Sequence, residues 1–155
     1  MNLSGTSRAQ CCWALANNYI VAADQLLENS TPQTFVPALF LLAHALELHF
    51  KAFLMARGIS ERKLKSREIG HDLVACFRES RNNGLSKFLS LTKQQICQII
   101  RVNRYYQEKQ LEYFVPIAKH FGSVDEFHDI VAKVSKAVFD PITEDDFRAL
   151  ADKAI

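Results

Sequence analysis

The chain has 155 residues, of which 48% are hydrophobic and 23% are charged, and its formal net charge is +2. These values are typical of one globular domain with its own core, and the few Gly and Pro residues argue against a disordered or turn-rich β protein. No stretch reaches the roughly 18 consecutive apolar residues of a membrane span. Residues 1–10 also lack the apolar segment of a secretory signal. We therefore expect a single domain over residues 1–155, in the cytoplasm and without membrane contact.

Apolar side chains at three- and four-residue steps predict a first helix over about residues 7–27. Pro32 and the polar residues before it end this helix. A second, more apolar helix is predicted over about residues 34–57, with Thr34 as its N-cap and Gly58 just after its end. Because it is apolar on more than one face, we expect this helix at the centre of a bundle.

A charged connection over residues 59–70 leads to a third helix, which is predicted to begin near residues 71–73 and to end at residues 82–84. Thr92 is the predicted cap of a fourth helix. The segment 103–114, rich in tyrosine, either continues the fourth helix or forms a packed irregular turn. The sequence pattern leaves these two alternatives open.

Ser123 and Glu126 form a capping-box pattern that opens a fifth helix, and Pro141 is predicted to end it. Residues 143–146 then cap a short final helix, with acids at its positive end. No alternating run typical of a β-strand and no internal repeat is visible. The predicted fold class is therefore all-α, a bundle of about five helices plus a short C-terminal helix, with more than about 60% helix against a base rate of about 30–35%.

The chain has four cysteines, at Cys11, Cys12, Cys76 and Cys97. None of them forms a C-x-x-C pair, and their spacing fits neither a zinc module nor a disulfide framework. We expect free thiols, which are typical of a reducing compartment. His44 and Glu47 share a helical face, but a di-iron bundle needs Glu-x-x-His on two helices, and here the order is reversed and occurs once. The sequence therefore predicts no metal and no cofactor.

Charge is unevenly distributed along the chain. The stretch from residue 57 to residue 67 contains five bases and one acid, whereas residues 124–155 contain eight acids and four bases. A basic loop and an acidic tail can steer partners or pair with each other, and both can equally be ordinary solvated surface. Arg62, Lys63 and Lys65 are therefore candidate binding residues.

The second helix contains the pattern Ala-x-x-x-Glu-x-x-x-Lys-Ala-x-Leu at residues 43–54, and it is followed by Gly58 and by His-Asp-Leu at residues 71–73. Glu47 and Lys51 are four residues apart with the acid first, which is the favourable order for an ion pair on one helix. Together these features resemble the HEPN domain (higher eukaryotes and prokaryotes nucleotide-binding). The close resemblance covers about thirty residues, and the helix order is compatible over most of the chain.

The resemblance implies an up-and-down helical bundle that commonly forms homodimers. Members of the family include ribonucleases of toxin–antitoxin and phage-defence systems, non-catalytic partners of nucleotidyltransferases, and adaptors. The resemblance also suggests that the third helix starts beside the middle of the second. That placement would join Glu47, Lys51, His71 and Asp72 in one polar cluster, with Asp72 in a first helical turn, where negative charge is favoured.

The ribonuclease members carry an Arg followed, after four to six residues, by a His on a late helix, and this chain departs from that motif. Arg101 and Arg104 have no His at that spacing, and neither Arg62 nor Arg67 stands at that spacing from His71. General acid–base cleavage needs a group that exchanges a proton near neutral pH, and Tyr is a poor replacement for His. The sequence therefore predicts no catalytic residues and a protein that does not cleave RNA on its own.

Arg104 and Tyr105, in the tyrosine-rich segment, could stack a base or hold a phosphate, or this segment could simply fill space between helices. Three classes of function remain. The favoured class is a non-catalytic, homodimeric binding or adaptor module, with a nucleotidyltransferase-like protein, RNA or a nucleotide as the candidate partner. The second is a variant ribonuclease that uses Arg104, Tyr105 and His71. The third is an unrelated helical bundle with a structural or ligand-binding role.

Overall fold

The computed structural model describes residues 5–113 and 119–153, with side chains over residues 8–113 and 119–144. Helices account for 74% of this part of the chain, which contains no strand. Its elements are α1 (Gly5–Glu28), α2 (Pro32–Ala56), α3 (Glu61–Leu64), α4 (Leu73–Asn82), a 3₁₀ turn (Leu85–Lys87), α5 (Lys93–Tyr106) and α6 (Val124–Lys153). The all-α helical bundle predicted from apolar periodicity is confirmed.

The first two helices form an antiparallel hairpin, because only residues 29–31 separate them. Thr31 is the N-cap of α2 and has an extended backbone, as expected of a residue that precedes a proline. Its backbone N–H donates to Oγ1 of Thr34 at 2.8 Å. The prediction of Thr34 as the N-cap is therefore wrong. Pro32 occupies the first helical position, where its missing N–H is not needed, and Thr34 supports the cap from within the first turn.

Helix α2 lies at the centre of the molecule, as predicted, and contacts α1, α4, α5 and α6. Among the described helices it alone is long and apolar enough to span a membrane, with a mean hydropathy of 1.5. However, 67% of its apolar window is buried inside the protein. Its apolar character is therefore accounted for by its place in the core, where Leu46, Phe50 and Phe53 are fully buried.

Side-chain caps fix where the next two long helices begin. Asp72 caps α4, since its Oδ1 accepts a hydrogen bond from the backbone N–H of Ala75 at 2.9 Å. Thr92 caps α5 in a capping box with Gln95. The predicted starts of both helices are confirmed.

Helices α4 and α5 form a second antiparallel pair, which residues 83–92, including the 3₁₀ turn, connect. Asn103, near the end of α5, accepts a hydrogen bond from the backbone N–H of Leu73, the first residue of α4, at 2.7 Å. This contact brings the start of α4 beside the end of α5.

The open question on segment 103–114 is settled up to residue 113: the helix continues to Tyr106, and turns follow it. Phe114 lies outside the described residues.

Helix α6 continues through Pro141, so the predicted helix end at this residue and the separate final helix are wrong. A proline inside a helix removes one backbone hydrogen bond, but Pro141 is buried here, between the equally buried Val138 and Ile142. Packing against the core therefore outweighs the local preference. The predicted cap is present, since Oγ of Ser123 accepts from the backbone N–H of Glu126 at 3.2 Å.

Candidate functional site

A buried carboxylate, that of Glu47 in the middle of α2, is the centre of the most extensive polar network in the described structure. Only 1% of Glu47 is exposed. Its Oε1 accepts a hydrogen bond from Nζ of Lys51, one helical turn later, at 2.6 Å. Its Oε2 accepts from the Tyr106 hydroxyl of α5 at 2.6 Å and lies 3.0 Å from Nδ1 of His71, just before α4. The carboxylate thus connects three separate parts of the bundle.

The predicted contacts of Glu47 with Lys51 and His71 are confirmed, whereas Asp72 has different partners. Asp72 is the N-cap of α4, so the prediction that it lies in the first helical turn is wrong. Among the described residues, the carboxylate of Asp72 accepts from the backbone of Ala75 and from Nδ2 of Asn103, the latter at 3.0 Å. The physical reason is that an N-cap side chain must turn back toward the first N–H groups of its own helix. Asp72 therefore fixes the start of α4, which positions the neighbouring His71 beside Glu47.

Tyr106 is the member of the network that sequence analysis missed. Its ring is buried, because Tyr106 follows Val102 by four residues on the buried face of α5. The hydroxyl proton is used on Glu47, so Nδ1 of His44, 2.9 Å away, must be the donor to the Tyr106 oxygen. In the sequence, the burial of Tyr106 was indicated by the apolar spacing of α5, which continues past residue 103.

Asn103, also missed, ties the two parts of the site together. Besides accepting from Leu73, its side-chain amide donates to Asp72 and to Oε1 of Gln107, the latter at 2.9 Å. A buried amide needs several partners to offset its lost hydration, and Asn103 finds them on both α4 and α5. This residue therefore holds the start of α4 at a fixed distance from α5.

The pKa values in the network follow from burial and charge. Burial alone would raise the pKa of Glu47, but the charge of Lys51 and the hydrogen bonds from Lys51, Tyr106 and His71 outweigh it and lower that pKa. Burial, with the nearby charge of Glu47, raises the pKa of Tyr106, and burial lowers the pKa of His44. At neutral pH, Glu47 is ionised while Tyr106 and His44 are neutral. His71 is the exposed member, with 60% of its side chain accessible.

Arg104 and Tyr105 do not join this network. Arg104 is exposed on α5. Tyr105 is half-buried and packs edge-on against Phe121, with 4.9 Å between the ring centroids. Its hydroxyl accepts from the backbone N–H of His120 at 3.1 Å. Tyr105 therefore contributes to packing, which was one of the two alternatives predicted for this segment.

The basic loop predicted as a binding segment contains the one-turn helix α3 and is partly neutralised. Lys63 forms an ion pair with Glu79 of α4 at 2.5 Å, and Lys65 lies 3.4 Å from Glu61. Arg62 is exposed. Two of the three predicted binding residues are thus paired with acids of the same chain, which weakens the positive potential that their number in the sequence predicts.

No group of three or more His, Cys, Asp or Glu side chains within the described residues has a geometry that could hold a metal ion. The Glu47 network contains two histidines, but Tyr106 and Lys51 occupy the space around the carboxylate with hydrogen-bond donors. The Glu47 carboxylate is therefore already hydrogen-bonded on both oxygens by side chains of the protein.

Comparisons of this chain with models of protein families, with curated proteins and with solved structures gave no match. Membership of the HEPN family therefore stays a prediction from the residue pattern. The geometry of the Glu47 network and of the surrounding surfaces is the basis for proposing a function.

Proposed function

We propose that this protein is a non-catalytic, HEPN-like binding or adaptor module. The observation that carries the proposal is the saturation of Glu47, which binds Lys51, Tyr106 and His71 at 2.6–3.0 Å. A carboxylate with these three partners fixes the relative positions of α2, the start of α4 and α5. This buried polar network therefore stabilises the helical bundle. Recognition of a partner is accordingly assigned to the surfaces of the bundle.

The protonation states in the network also argue against RNA cleavage by a single chain. Attack by the 2′-hydroxyl needs a base, an acid for the leaving oxygen and positive charge for the phosphorane. The phenol of Tyr106 is buried and its raised pKa makes it a weak acid, while His44 is neutral and already bonded to Tyr106. His71 is thus the one imidazole of the network that a substrate could reach. A single group does not supply both the base and the acid that cleavage requires.

A variant ribonuclease is the second candidate, and one observation favours it. Glu47 holds Nδ1 of the exposed His71 ring at 3.0 Å, an arrangement in which a carboxylate orients an imidazole as in general-base catalysis. Arg104 and Tyr105, which this candidate also requires, are not part of the network. The enzyme hypothesis therefore depends on His71 and on groups that a second chain would supply.

Purified protein is expected not to degrade single-stranded RNA or tRNA, because the site presents one accessible proton-exchanging group. The measurement is gel analysis of RNA incubated with the wild type and with the His71→Ala, Arg104→Ala and His120→Ala variants. His120 is the matched control, since its side chain is exposed and does not belong to the Glu47 network. Turnover that His71→Ala abolishes and His120→Ala leaves intact would establish the ribonuclease candidate instead.

We also infer that the module is a homodimer, and the exposed face of α1 supports this. Leu15 and Val21 are 46% and 57% exposed on this helix. Between Arg8 and Glu28 the helix contains a single charged residue, Asp24, which pairs with His128 of α6 at 2.7 Å. An uncharged surface several turns long suits a two-fold interface, because each patch meets its own copy and no like charges are opposed.

Val21→Glu is expected to weaken self-association at least about tenfold, or about 1.4 kcal/mol, because it places two like charges in an apolar two-fold interface. Sedimentation equilibrium over a range of concentrations measures the effect. Tyr113→Glu, at an exposed aromatic residue outside α1, is the matched control and should leave the association unchanged. A wild-type chain that sediments as a monomer at high micromolar concentration would contradict the proposal.

The cytoplasmic location expected from the sequence is retained as part of the proposal. All four cysteines are free thiols. Burial raises the pKa of Cys76 to about 12 and that of Cys12 to about 11, so neither is a reactive thiolate at neutral pH. Free thiols of this kind support a reducing environment. The candidate partners remain a nucleotidyltransferase-like protein, RNA or a nucleotide.

A further inference from the structure

A groove runs between α4 and α5 on the side of the molecule formed by the second helical pair. It contains a cavity of about 470 Å³ and a neighbouring cavity of about 250 Å³, which share Phe77, Arg81, Ser86 and Ile96. We define the α4–α5 face by five side chains that line this groove, Val74, Phe77, Arg78, Arg81 and Ile96, together with Ile100, which is exposed one turn after Ile96.

The floor of the groove is apolar and has no cover in the described structure. Val74, Phe77 and Ile96 are half-buried, and Ile100, one turn after Ile96, is an exposed large hydrophobic side chain. Contiguous exposed apolar surface of this kind, with a polar rim, is typical of an interaction site.

Positive charge frames this apolar strip. Helix α5 contains no acid, and its bases Lys93 and Arg104 share a face with Ile100. Its third base, Arg101, turns instead toward Gln98, to which it donates at 3.0 Å. The single acid of α4, Glu79, is already paired with Lys63. Neither Arg78 nor Arg81 forms an ion pair with any described acid, so both guanidinium groups at the groove are available to an incoming carboxylate.

We propose that the α4–α5 face binds an acidic amphipathic helix of a partner protein. The inference rests on the proposed function and names the partner chemistry of that binding module. Apolar residues of the partner at helical spacing would fill the groove over Val74, Phe77 and Ile96, and its flanking carboxylates would bind Arg78 and Arg81. The ten residues of α4 span about 15 Å, enough for about three turns of a partner helix lying along them.

A single-stranded nucleic acid fits this face less well, although it also carries negative charge. Sequence-tolerant binding of bases needs free aromatic faces for stacking. Phe77 is the one aromatic side chain in the groove, and the guanidinium of Arg81 lies 5.9 Å from its ring centroid while the ring of Phe50 packs on it at 5.6 Å. The other apolar side chains of the larger cavity, Val74 and Ile96, are aliphatic, which suits leucine-like side chains.

A second copy of this chain also fits less well. The exposed acids at the start of α6 are Asp125, Glu126 and Asp129. The large hydrophobic side chain exposed on α6 is Phe139, ten residues or about 15 Å further along the helix. Asp140 and Glu144 are exposed beside Phe139, but Phe139 packs against Trp13 with 5.0 Å between the ring centroids. It is the single large hydrophobic side chain exposed on the described part of α6, so this helix offers no row of apolar residues at helical spacing to fill the groove.

The probe is a synthetic peptide of about four turns, built from Leu, Ala and Glu, with leucines on one helical face and glutamates beside them. Matched peptides replace every Glu by Gln or by Lys. Fluorescence anisotropy with the full chain should show that the Glu peptide binds at least about tenfold more tightly than the Lys peptide, and that added salt weakens its binding.

Arg78→Glu/Arg81→Glu should reverse the preference between the acidic and basic peptides. Arg67→Glu/Lys136→Glu makes the same change in net charge at exposed residues outside the groove and should leave the preference in place. Ile100→Ala, which truncates the apolar strip without changing charge, should weaken the binding of all three peptides. Circular dichroism verifies that each variant keeps its helix content.

Four results would overturn the inference. The first is no binding of the acidic peptide at millimolar concentration. The second is an equal loss of binding in both charge-reversal variants, which would show a non-specific charge effect. The third is binding of a poly-uridine oligonucleotide, but not the peptide, that requires Arg78 and Arg81. The fourth is loss of a wild-type dimer in the Arg78→Glu/Arg81→Glu variant, which would assign the face to a second copy. RNA cleavage would defeat the proposed function separately, because that assay depends on His71 rather than on this groove.

Discussion

Replacing Glu47 with alanine is expected to lower the free energy of unfolding by about 3–5 kcal/mol, the range measured when one member of a buried ion pair is removed. The side chain of Lys51 is only 11% exposed and would keep its charge without a counter-ion. The Tyr106 hydroxyl and His71 would lose their acceptor at the same time. Urea-induced unfolding at neutral pH, followed by circular dichroism, measures the change.

Two variants separate the network from simpler effects. Glu61→Ala removes an acid that is also four residues before a lysine, Lys65, and that pairs with Arg8 at 2.9 Å. Both pairs are exposed, so the change should cost less than about 1 kcal/mol. Glu47→Gln keeps an acceptor oxygen for Tyr106 but loses the charge. Its loss in the free energy of unfolding should therefore lie between those of Glu47→Ala and Glu61→Ala. If Glu47→Ala costs no more than Glu61→Ala, the network does not hold the bundle together.

Local information explains which parts of the fold could be predicted. The apolar period of α2, the start of α4 near residues 71–73 and the caps Thr92 and Ser123 depend on residues within one or two turns of each other. The contact between Glu47 and Lys51 is also local, because a spacing of four places both side chains on one face of a helix. These features were therefore visible before any tertiary structure was known.

The features that were missed depend on tertiary contacts. Tyr106 meets Glu47 across 59 residues of sequence, and this contact follows from the rotational phase of α5 beyond residue 103, which the sequence left open. The prediction that Pro141 ends the helix was wrong, since burial of this residue in the core outweighs a lost backbone hydrogen bond. Lys63 and Lys65 were expected to be available for binding, but their neighbours in space are acids.

A buried histidine outside the Glu47 network was also not selected from the sequence. His49 of α2 is fully buried, with its ring centroid 6.5 Å from that of Trp13 on α1. Neither of its ring nitrogens has a hydrogen-bond partner in the described structure. Burial accordingly lowers the pKa of His49 from 6.5 to about 4. The folded protein therefore holds this imidazole neutral at pH values where the unfolded chain protonates it.

The wild-type protein is expected to lose stability as the pH falls from about 6.5 to about 4, and His49 should account for about 3 kcal/mol of this loss. The sign follows from the lowered pKa: the contribution is complete above the pKa of the unfolded chain and disappears as the pH falls to that of the folded state. Glu47 acts at lower pH, because its pKa is below the ordinary carboxyl value of 4.5. The losses of stability caused by His49 and by Glu47 are therefore centred at different pH values.

His49→Leu should remove this dependence, because leucine fills a similar volume and has no group to protonate. We expect its free energy of unfolding, measured in urea at pH 7 and at pH 5, to fall by about 2 kcal/mol less than that of the wild type. His120→Leu, at an exposed histidine, should retain the wild-type dependence. His44, whose pKa is also lowered by burial, titrates in all three proteins, so the difference between them isolates His49. Equal pH dependence in wild type and His49→Leu would show that His49 is not held neutral in the core.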